Sequence, residues 1–216
     1  MQPYVIFDMD GVLVDSEPFH KQVLARALRE LGVELTSEYH NSLIGMAGMP
    51  IYKKMISDFE LSIHPQELMS FHKGLFYKEL ENCEVPAVDD VLNLLETLKR
   101  ENFSLSLGSS SPKKLIDIFV NRLEIGDYFD HLVSSEDVER GKPSPDIFLE
   151  IARKYDKNAE EFVVIEDSRN GVIAAKTARM KCIGFKNPNS GNQDLSRADL
   201  IIESFSDLSG QRIKDL

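Results

Sequence analysis

The sequence predicts an α/β fold in which helices cover both faces of a parallel β-sheet. Short apolar runs rich in β-branched and aromatic residues recur along the chain, at 4–7, 103–107, 131–133, 162–165, 182–185 and, more weakly, 200–202. Such nearly continuous apolarity is typical of strands that are buried on both faces. Segments with helical periodicity lie between these runs, and this alternation indicates a doubly wound sheet.

The segment after the first predicted strand has no clear strand pattern. Its apolar side chains share one helical face in three stretches, 19–31, 51–59 and 68–76. About 65 residues of helix therefore interrupt the first strand-to-helix crossover, which is much longer than an ordinary connection. We interpret residues 16–83 as an α-helical domain inserted into an α/β core formed by 1–15 and 84–216.

Helical patterns also separate the later strands. Apolar residues share one face in 91–98 and again in 115–123. Ser144 and Pro145 then predict the start of another helix, with Ser144 as the N-cap and Pro145 in the first helical position.

The charge and the cysteine content limit what this protein can bind. The 216 residues carry 36 acidic and 25 basic side chains, a net charge of −11, which argues against a protein that binds the phosphate backbone of nucleic acids. A small anion is still compatible with this charge if a few cations are concentrated at one site. The two cysteines are too few for a disulfide framework and are not spaced as zinc ligands.

The first apolar run gives no sign of a targeting segment. Asp8 and Asp10 interrupt it, and no basic leader precedes it, so we expect neither a signal peptide nor a membrane span. The prediction is a cytoplasmic protein.

Polar residues that can carry chemistry follow four of the predicted strands. In chain order they are Asp8 and Asp10, then Ser109, Ser110 and Ser111, then Lys142, and finally Glu166 and Asp167. In open α/β sheets the ligand crevice lies beyond the carboxyl ends of the strands. We therefore expect these groups to converge.

Several carboxylates in one crevice need a cation. Two like charges about 4 Å apart repel by roughly 4 kcal/mol at an effective dielectric constant near 20. Asp8, Asp167 and a backbone carbonyl near Asp10 offer the hard oxygen ligands that Mg²⁺ prefers. With Lys142 adding positive charge, such a site admits a phosphate dianion, and the sequence therefore predicts a metal-dependent anion site.

Four spaced motifs resemble those of the haloacid dehalogenase-like hydrolases. They are DMDGVLVDSEP, LGSSSP, GKPSPDIF and VVIEDSRNG, in that order. The resemblance covers nearly the whole chain and is closest to the subfamily with a helical cap between motifs one and two, which includes β-phosphoglucomutase and many small-molecule phosphatases. It implies a Rossmann-like core with an inserted α-helical cap domain.

The resemblance implies a role for each residue of the first three motifs. Asp8 matches the nucleophile that forms an aspartyl-phosphate, and Asp10 matches the general acid and base, whose backbone carbonyl is also a metal ligand in the family. Ser109 matches the hydroxyl that binds the phosphoryl group, with Ser110 as a further substrate-binding residue. Lys142 matches the lysine that balances the charge of the nucleophile and the phosphoryl group.

The fourth motif and the cap carry the remaining expectations. Asp167 matches a direct Mg²⁺ ligand, and Glu166 an acid that contacts the ion either directly or through another ligand. His20 resembles a residue that couples cap closure to the acid and base in sugar-phosphate mutases, with a structural role as the alternative. Glu17 is a candidate for substrate binding, and its alternative role is to place negative charge at a helix N-terminus.

One departure from the family bears on the reaction. In β-phosphoglucomutase-like sequences an arginine in the cap loop binds the far phosphate of a bisphosphate, and Gly48 stands at the matching position here. Lys53, Lys54 and Arg26 are possible substitutes. The missing arginine favours a phosphatase over a mutase.

The sequence thus predicts Mg²⁺-dependent hydrolysis of a small phosphate monoester, with a sugar or polyol phosphate favoured. The alternatives are a sugar-phosphate mutase and a non-catalytic binding protein that kept the fold. We expect a small phosphorylated metabolite as the partner, no nucleic acid, no membrane, and a monomer or weak homodimer.

Overall fold

The computed structural model describes residues 4–43, 46 and 48–216. This part of the chain forms two compact units. The described residues up to Asp15 together with Ala87–Leu216 form the first, which we call the α/β unit. Ser16–Pro86 form the second, which we call the helical unit.

The sheet of the α/β unit contains six parallel strands among the described residues. They are β1 (Tyr4–Phe7), β2 (Ser104–Gly108), β3 (His131–Val133), β4 (Phe162–Glu166), β5 (Lys181–Phe185) and β6 (Leu200–Ile202). Their order across the sheet is β3-β2-β1-β4-β5-β6. The chain direction across the sheet reverses beside β1 and β4, which is where ligands bind in sheets of this topology.

The predicted strands are all found, with bounds that differ from the sequence pattern by one residue at most. β1 and β4 are buried along their whole length, which explains their continuous apolar runs. The predicted α/β class with a doubly wound parallel sheet is therefore confirmed.

The helical unit contains α1 (Glu17–Arg29), α2 (Ser37–Leu43), α3 (Met49–Asp58) and α4 (Pro65–Leu80). α1, α3 and α4 fall on the three stretches with helical periodicity, and they bury Leu28, Met55 and Leu68 in one apolar core. The sequence did not predict α2, because its seven residues bury few side chains and show too little periodicity.

The helices of the α/β unit are α5 (Val91–Arg100), α6 (Lys113–Arg122), α7 (Asp146–Tyr155), α8 (Arg169–Thr177) and α9 (Gly210–Lys214). One core cluster joins β1 and β4 to α7 and α8 through Ile6, Val164, Phe148 and Ala175. This packing fixes the carboxyl ends of the two central strands side by side.

The predicted start of α7 is wrong by one position. α7 begins at Asp146, with Pro145 at the cap position and no side-chain cap. The hydroxyl of Ser144 donates to the carboxylate of Asp146 at 2.6 Å instead of accepting a bond from a helical N–H.

Both cysteines are free thiols, Cys182 buried and Cys83 half-buried. Within the described residues no helix has the length and apolarity needed to cross a bilayer.

Candidate active site

Asp8 lies directly after β1, at the edge where the sheet order reverses. Its backbone N–H donates to the carbonyl of Ile165 on β4 at 3.0 Å, so the parallel pairing extends to Asp8. Its side chain is buried, as is that of Asp167 directly beyond β4. Parallel pairing of β1 with β4 therefore brings these two carboxylates together.

The turn that follows Asp8 requires glycine at position 11. Gly11 has φ +79°, a conformation that other residues rarely adopt. A Cβ atom at Gly11 would overlap the carboxylate of Asp167 and lie 2.9 Å from Oγ of Ser190. The glycine thus allows the backbone of the turn to approach Asp167 closely.

Lys142 connects three strand ends. Its Nζ lies 2.5 Å from Oδ1 of Asp8, 2.6 Å from Oε1 of Glu166 and 2.9 Å from the carbonyl oxygen of Gly108 at the end of β2. Only 4% of the Lys142 side chain is exposed. A buried ammonium group is stable because these three acceptors replace its hydration.

Asp8 and Lys142 shift each other's pKa values. The pKa of Asp8 is raised to about 8: burial raises it most, Lys142 lowers it, and the neighbouring carboxylates of Glu166 and Asp10 raise it by smaller amounts. Burial would lower the pKa of Lys142, but its ion pairs with Asp8 and Glu166 outweigh burial and raise it above the ordinary value. Lys142 is therefore a permanent cation, and a second cation beside Asp8 would favour the ionised carboxylate.

Asp8, Glu166 and Asp167 form the group of potential metal ligands within the described chain. One carboxylate oxygen from each lies within 4.8 Å of the other two. Burial raises the pKa of Asp167 well above its usual value, and the charge of Glu166 adds to this effect. An all-oxygen, anionic and buried donor set fits a hard divalent cation such as Mg²⁺.

The two acids at the end of β4 differ in their partners. Glu166 pairs with Lys142 through Oε1, and its Oε2 accepts bonds from both the backbone N–H and the hydroxyl of Ser168 at 2.9 Å. Asp167 accepts a short hydrogen bond from the hydroxyl of Ser190. Protein donors thus hold both oxygens of Glu166.

The serines after β2 form a small hydrogen-bonded chain that ends on Asp10. Ser109 is buried, and its hydroxyl accepts a bond from the N–H of Ser111 at 3.0 Å. The hydroxyl of Ser111 donates to Oδ2 of Asp10 at 2.7 Å. Ser110 is exposed. The sequence placed all three serines at this strand end but gave no sign that Ser111 is the one that contacts Asp10.

The structure therefore brings together six of the predicted residues of the α/β unit, while two further ones belong to the helical unit. The six are Asp8, Asp10, Ser109, Lys142, Glu166 and Asp167. Glu17 is the first residue of α1, and the ring of His20 stacks on that of Phe76 at 4.7 Å. Their predicted contacts with substrate remain predictions.

Two of the three cationic residues considered as substitutes for the missing arginine, Arg26 and Lys54, form ion pairs within the helical unit. Arg26 forms an ion pair with Glu79, and Nζ of Lys54 lies 2.6 Å from Asp58. Gly48 has φ +65° and precedes α3. Gly45 and Ala47 of the same cap loop lie outside the described residues.

A family model described as haloacid dehalogenase-like hydrolase matches residues 5–185. The fold and the polar residues at the four strand ends are those expected for this family, in agreement with the match. The chain belongs to the haloacid dehalogenase-like hydrolases, and it is an enzyme of that family.

Curated relatives include several phosphatases. A phosphorylated carbohydrates phosphatase of Thermotoga maritima is 33% identical over 188 residues, covering 83% of this chain and 82% of the relative. Hexitol phosphatase B of Escherichia coli K12 is 29% identical over 213 residues, covering 95% and 94%.

Solved structures match along the whole chain. CbbY from Rhodobacter sphaeroides in complex with phosphate gives a TM-score of 0.83 at 22% identity, covering all of both chains, which shows the common fold. A putative β-phosphoglucomutase from Thermotoga maritima gives a TM-score of 0.78 at 26% identity, covering 100% of this chain and 97% of that one.

Proposed function

We propose that this enzyme is a Mg²⁺-dependent phosphatase that hydrolyses small sugar or polyol phosphates through an aspartyl-phosphate at Asp8. The observation that carries the proposal is the buried contact of Asp8 with Lys142, beside Asp167, at the point where the sheet order reverses. The phosphatase relatives that act on phosphorylated carbohydrates and hexitols support the substrate class.

Asp8 and Asp167 are the residues that we assign to the metal ion, together with the backbone carbonyl of Asp10. When bound, the ion neutralises the carboxylates and the phosphate that must approach them. Glu166 has both oxygens held by Lys142 and Ser168, so we assign it the role of fixing Lys142 rather than that of a direct ligand.

Asp8 begins the reaction as the nucleophile. One of its carboxylate oxygens attacks phosphorus, and the bond between phosphorus and the ester oxygen breaks. The leaving oxygen takes a proton from Asp10, whose carboxyl group is oriented by the hydroxyl of Ser111. Asp10 then accepts a proton from the water that hydrolyses the aspartyl-phosphate, which restores both residues.

Lys142 and the loop after β2 stabilise the charge that develops on the phosphoryl group. The ammonium group lies between Asp8 and Glu166 and needs no rearrangement to balance the anionic nucleophile. We assign phosphoryl binding to Ser109 and to the exposed Ser110 next to it.

We assign the helical unit as the cap domain of the family. In this assignment closure of the cap excludes water and selects the substrate, with Glu17 and His20 as the contacting residues on α1. The sugar-phosphate mutase is the second candidate, because the putative β-phosphoglucomutase from Thermotoga maritima has the same fold at 26% identity. Gly48 and the ion pairs of Arg26 and Lys54 favour the phosphatase.

A phosphate-release screen tests the proposal. Sugar, polyol, nucleotide and glycolate phosphates are incubated with the enzyme and Mg²⁺, beside the variants Asp8→Asn and Asp117→Asn. Asp117 is an exposed acid on α6 and serves as the matched control. We expect release from a sugar or polyol phosphate that falls by about a thousandfold or more in Asp8→Asn only. Isomerisation of a hexose 1-phosphate faster than phosphate release would favour the mutase instead.

A further inference from the structure

The loop after β5 forms three side-chain hydrogen bonds with residues in and around the candidate active site. The side-chain amide of Asn187 donates to the carbonyl oxygen of Gly11 at 2.8 Å. That of Asn189 donates to Oδ2 of Asp15 at 2.7 Å. The hydroxyl of Ser190 donates to Oδ2 of Asp167. We call residues 187–190 the clasp loop.

Hydrogen bonds within the clasp loop fix its conformation. The side-chain oxygen of Asn187 accepts a bond from the N–H of Asn189 at 2.7 Å, and the carbonyl of Asn187 accepts one from the N–H of Ser190 at 3.2 Å. Asn187 and Ser190 are 5% and 4% exposed. Since burial of polar side chains is unfavourable unless they are hydrogen-bonded, their contacts with Gly11 and Asp167 offset that cost.

The position of Ser190 is constrained from two sides. Its Oγ contacts Asp167, and it lies 2.9 Å from the point where a Cβ atom on Gly11 would be. Gly11 and Ser190 therefore lie close together beside Oδ2 of Asp167. A donor on one oxygen fixes the rotation of a carboxylate and leaves the other oxygen to face a ligand.

We propose that Ser190 is a positioning residue for the metal ion: its hydroxyl holds Oδ2 of Asp167 so that Oδ1 is presented to the cation. The proposal rests on the proposed function, because it takes Asp167 as a metal ligand. It predicts that loss of the hydroxyl weakens Mg²⁺ binding about tenfold to a hundredfold, the usual effect of removing a group that orients a metal ligand.

Calorimetric titration of the substrate-free enzyme with Mg²⁺ tests this directly. Ser190→Ala removes the hydroxyl, Ser190→Thr retains it, and Ser190→Val has the shape of threonine without the hydroxyl. We expect Kd to rise at least tenfold in the alanine and valine variants and to stay within about threefold of the wild type in the threonine variant. Ser196→Ala, at an exposed serine of the same segment, is the control and should bind like the wild type.

Two further readouts separate positioning from a purely structural role. Thermal unfolding without metal should differ little between Ser190→Ala and Ser190→Thr, and saturating Mg²⁺ should restore most of the phosphatase activity of the alanine variant. An unchanged Mg²⁺ Kd in Ser190→Ala, with wild-type binding intact, would overturn the role of Ser190 while leaving the proposed function standing. Failure of the wild type to bind Mg²⁺ would overturn both.

Discussion

Nζ of Lys142 lies 2.5 Å from Oδ1 of Asp8, although 134 positions separate the two residues in the chain. The same ammonium group lies 2.6 Å from Glu166, and all three side chains are buried. A phosphoryl group that approaches Asp8 therefore meets a carboxylate that is already paired with an ammonium group. This pairing connects the stability of the fold to the chemistry that we propose.

Removal of Lys142 should destabilise the protein strongly. Lys142→Met leaves the buried carboxylates of Asp8 and Glu166 without a counter-charge, and we expect the free energy of unfolding to fall by about 3–5 kcal/mol. Lys113→Met removes an exposed ion pair with Asp137, for which we expect a much smaller loss of stability. Urea unfolding of both variants measures the difference, and equal losses would contradict the buried pairing.

Loss of the Ser111 hydroxyl should slow the chemical step. Ser111 donates to Oδ2 of Asp10 at 2.7 Å, and without this bond the proposed acid and base is less well oriented. In Ser111→Ala we expect kcat to fall about tenfold or more while thermal stability stays close to that of the wild type. Steady-state kinetics with the best substrate of the screen measures this effect. Ser196→Ala is the control, and an unchanged kcat in Ser111→Ala would refute the orienting role.

The helical unit should lose stability as the pH falls. His72 shares a hydrogen bond with the hydroxyl of Tyr52 at 3.0 Å, and its Nε2 is buried with no hydrogen-bond partner among the described residues. Burial lowers the pKa of His72 from 6.5 to about 4, and the charge of His20 contributes. Between these two values the unfolded chain takes up a proton that the folded chain does not, so acid favours unfolding.

We expect this group to remove up to about 3 kcal/mol of stability between pH 6.5 and 4. Urea unfolding across that range should show a shallower pH dependence in His72→Gln than in the wild type. Parallel curves for the two proteins would show that His72 is not responsible.

Replacement of Arg179 by glycine should stabilise the protein. Arg179 follows α8 with φ +64°, and the next N–H, that of Met180, donates to the carbonyl of Ala175 at 3.0 Å. This is the left-handed position after a helix, where glycine avoids the strain of a Cβ atom. We expect Arg179→Gly to gain about 1 kcal/mol.

Thr177→Gly provides the contrast within the last turn of α8, where replacement of threonine by glycine should cost about 0.3–0.5 kcal/mol of stability. Chemical denaturation of both variants gives the sign of the change in the free energy of unfolding for each. A loss of stability in Arg179→Gly would contradict the strain at this position.

Much of the fold could be predicted from local patterns. β1 and β4 were predicted because strands buried on both faces are continuously apolar, and α1 and α4 because one face of each is apolar. α2 lacks such a face and was missed. The start of α7 was misplaced because Ser144 bonds to a side chain, a choice that periodicity does not reveal.

The candidate site was predictable only where strand order determines it. Asp8 and Asp167 follow adjacent parallel strands, so their convergence follows from topology. The hydrogen bonds from Ser111 and Ser190 depend on the shapes of irregular loops, for which the sequence carries no periodic signal. The hydrogen bonds from Ser168 and Lys142 to the carboxylate of Glu166 could not be predicted for the same reason.

The central claim is that Asp8 carries the phosphoryl group during turnover. The most direct measurement uses Asp10→Asn with p-nitrophenyl phosphate and Mg²⁺, since the nitrophenolate leaves without a proton from residue 10 whereas hydrolysis of the phosphoenzyme needs the base. Acid quenching, borohydride trapping and peptide mass spectrometry then locate the modified residue. We predict accumulation of the trapped product at Asp8 and its absence in the double variant with Asp8→Asn; turnover without modification at Asp8, or modification at another residue, would contradict the mechanism.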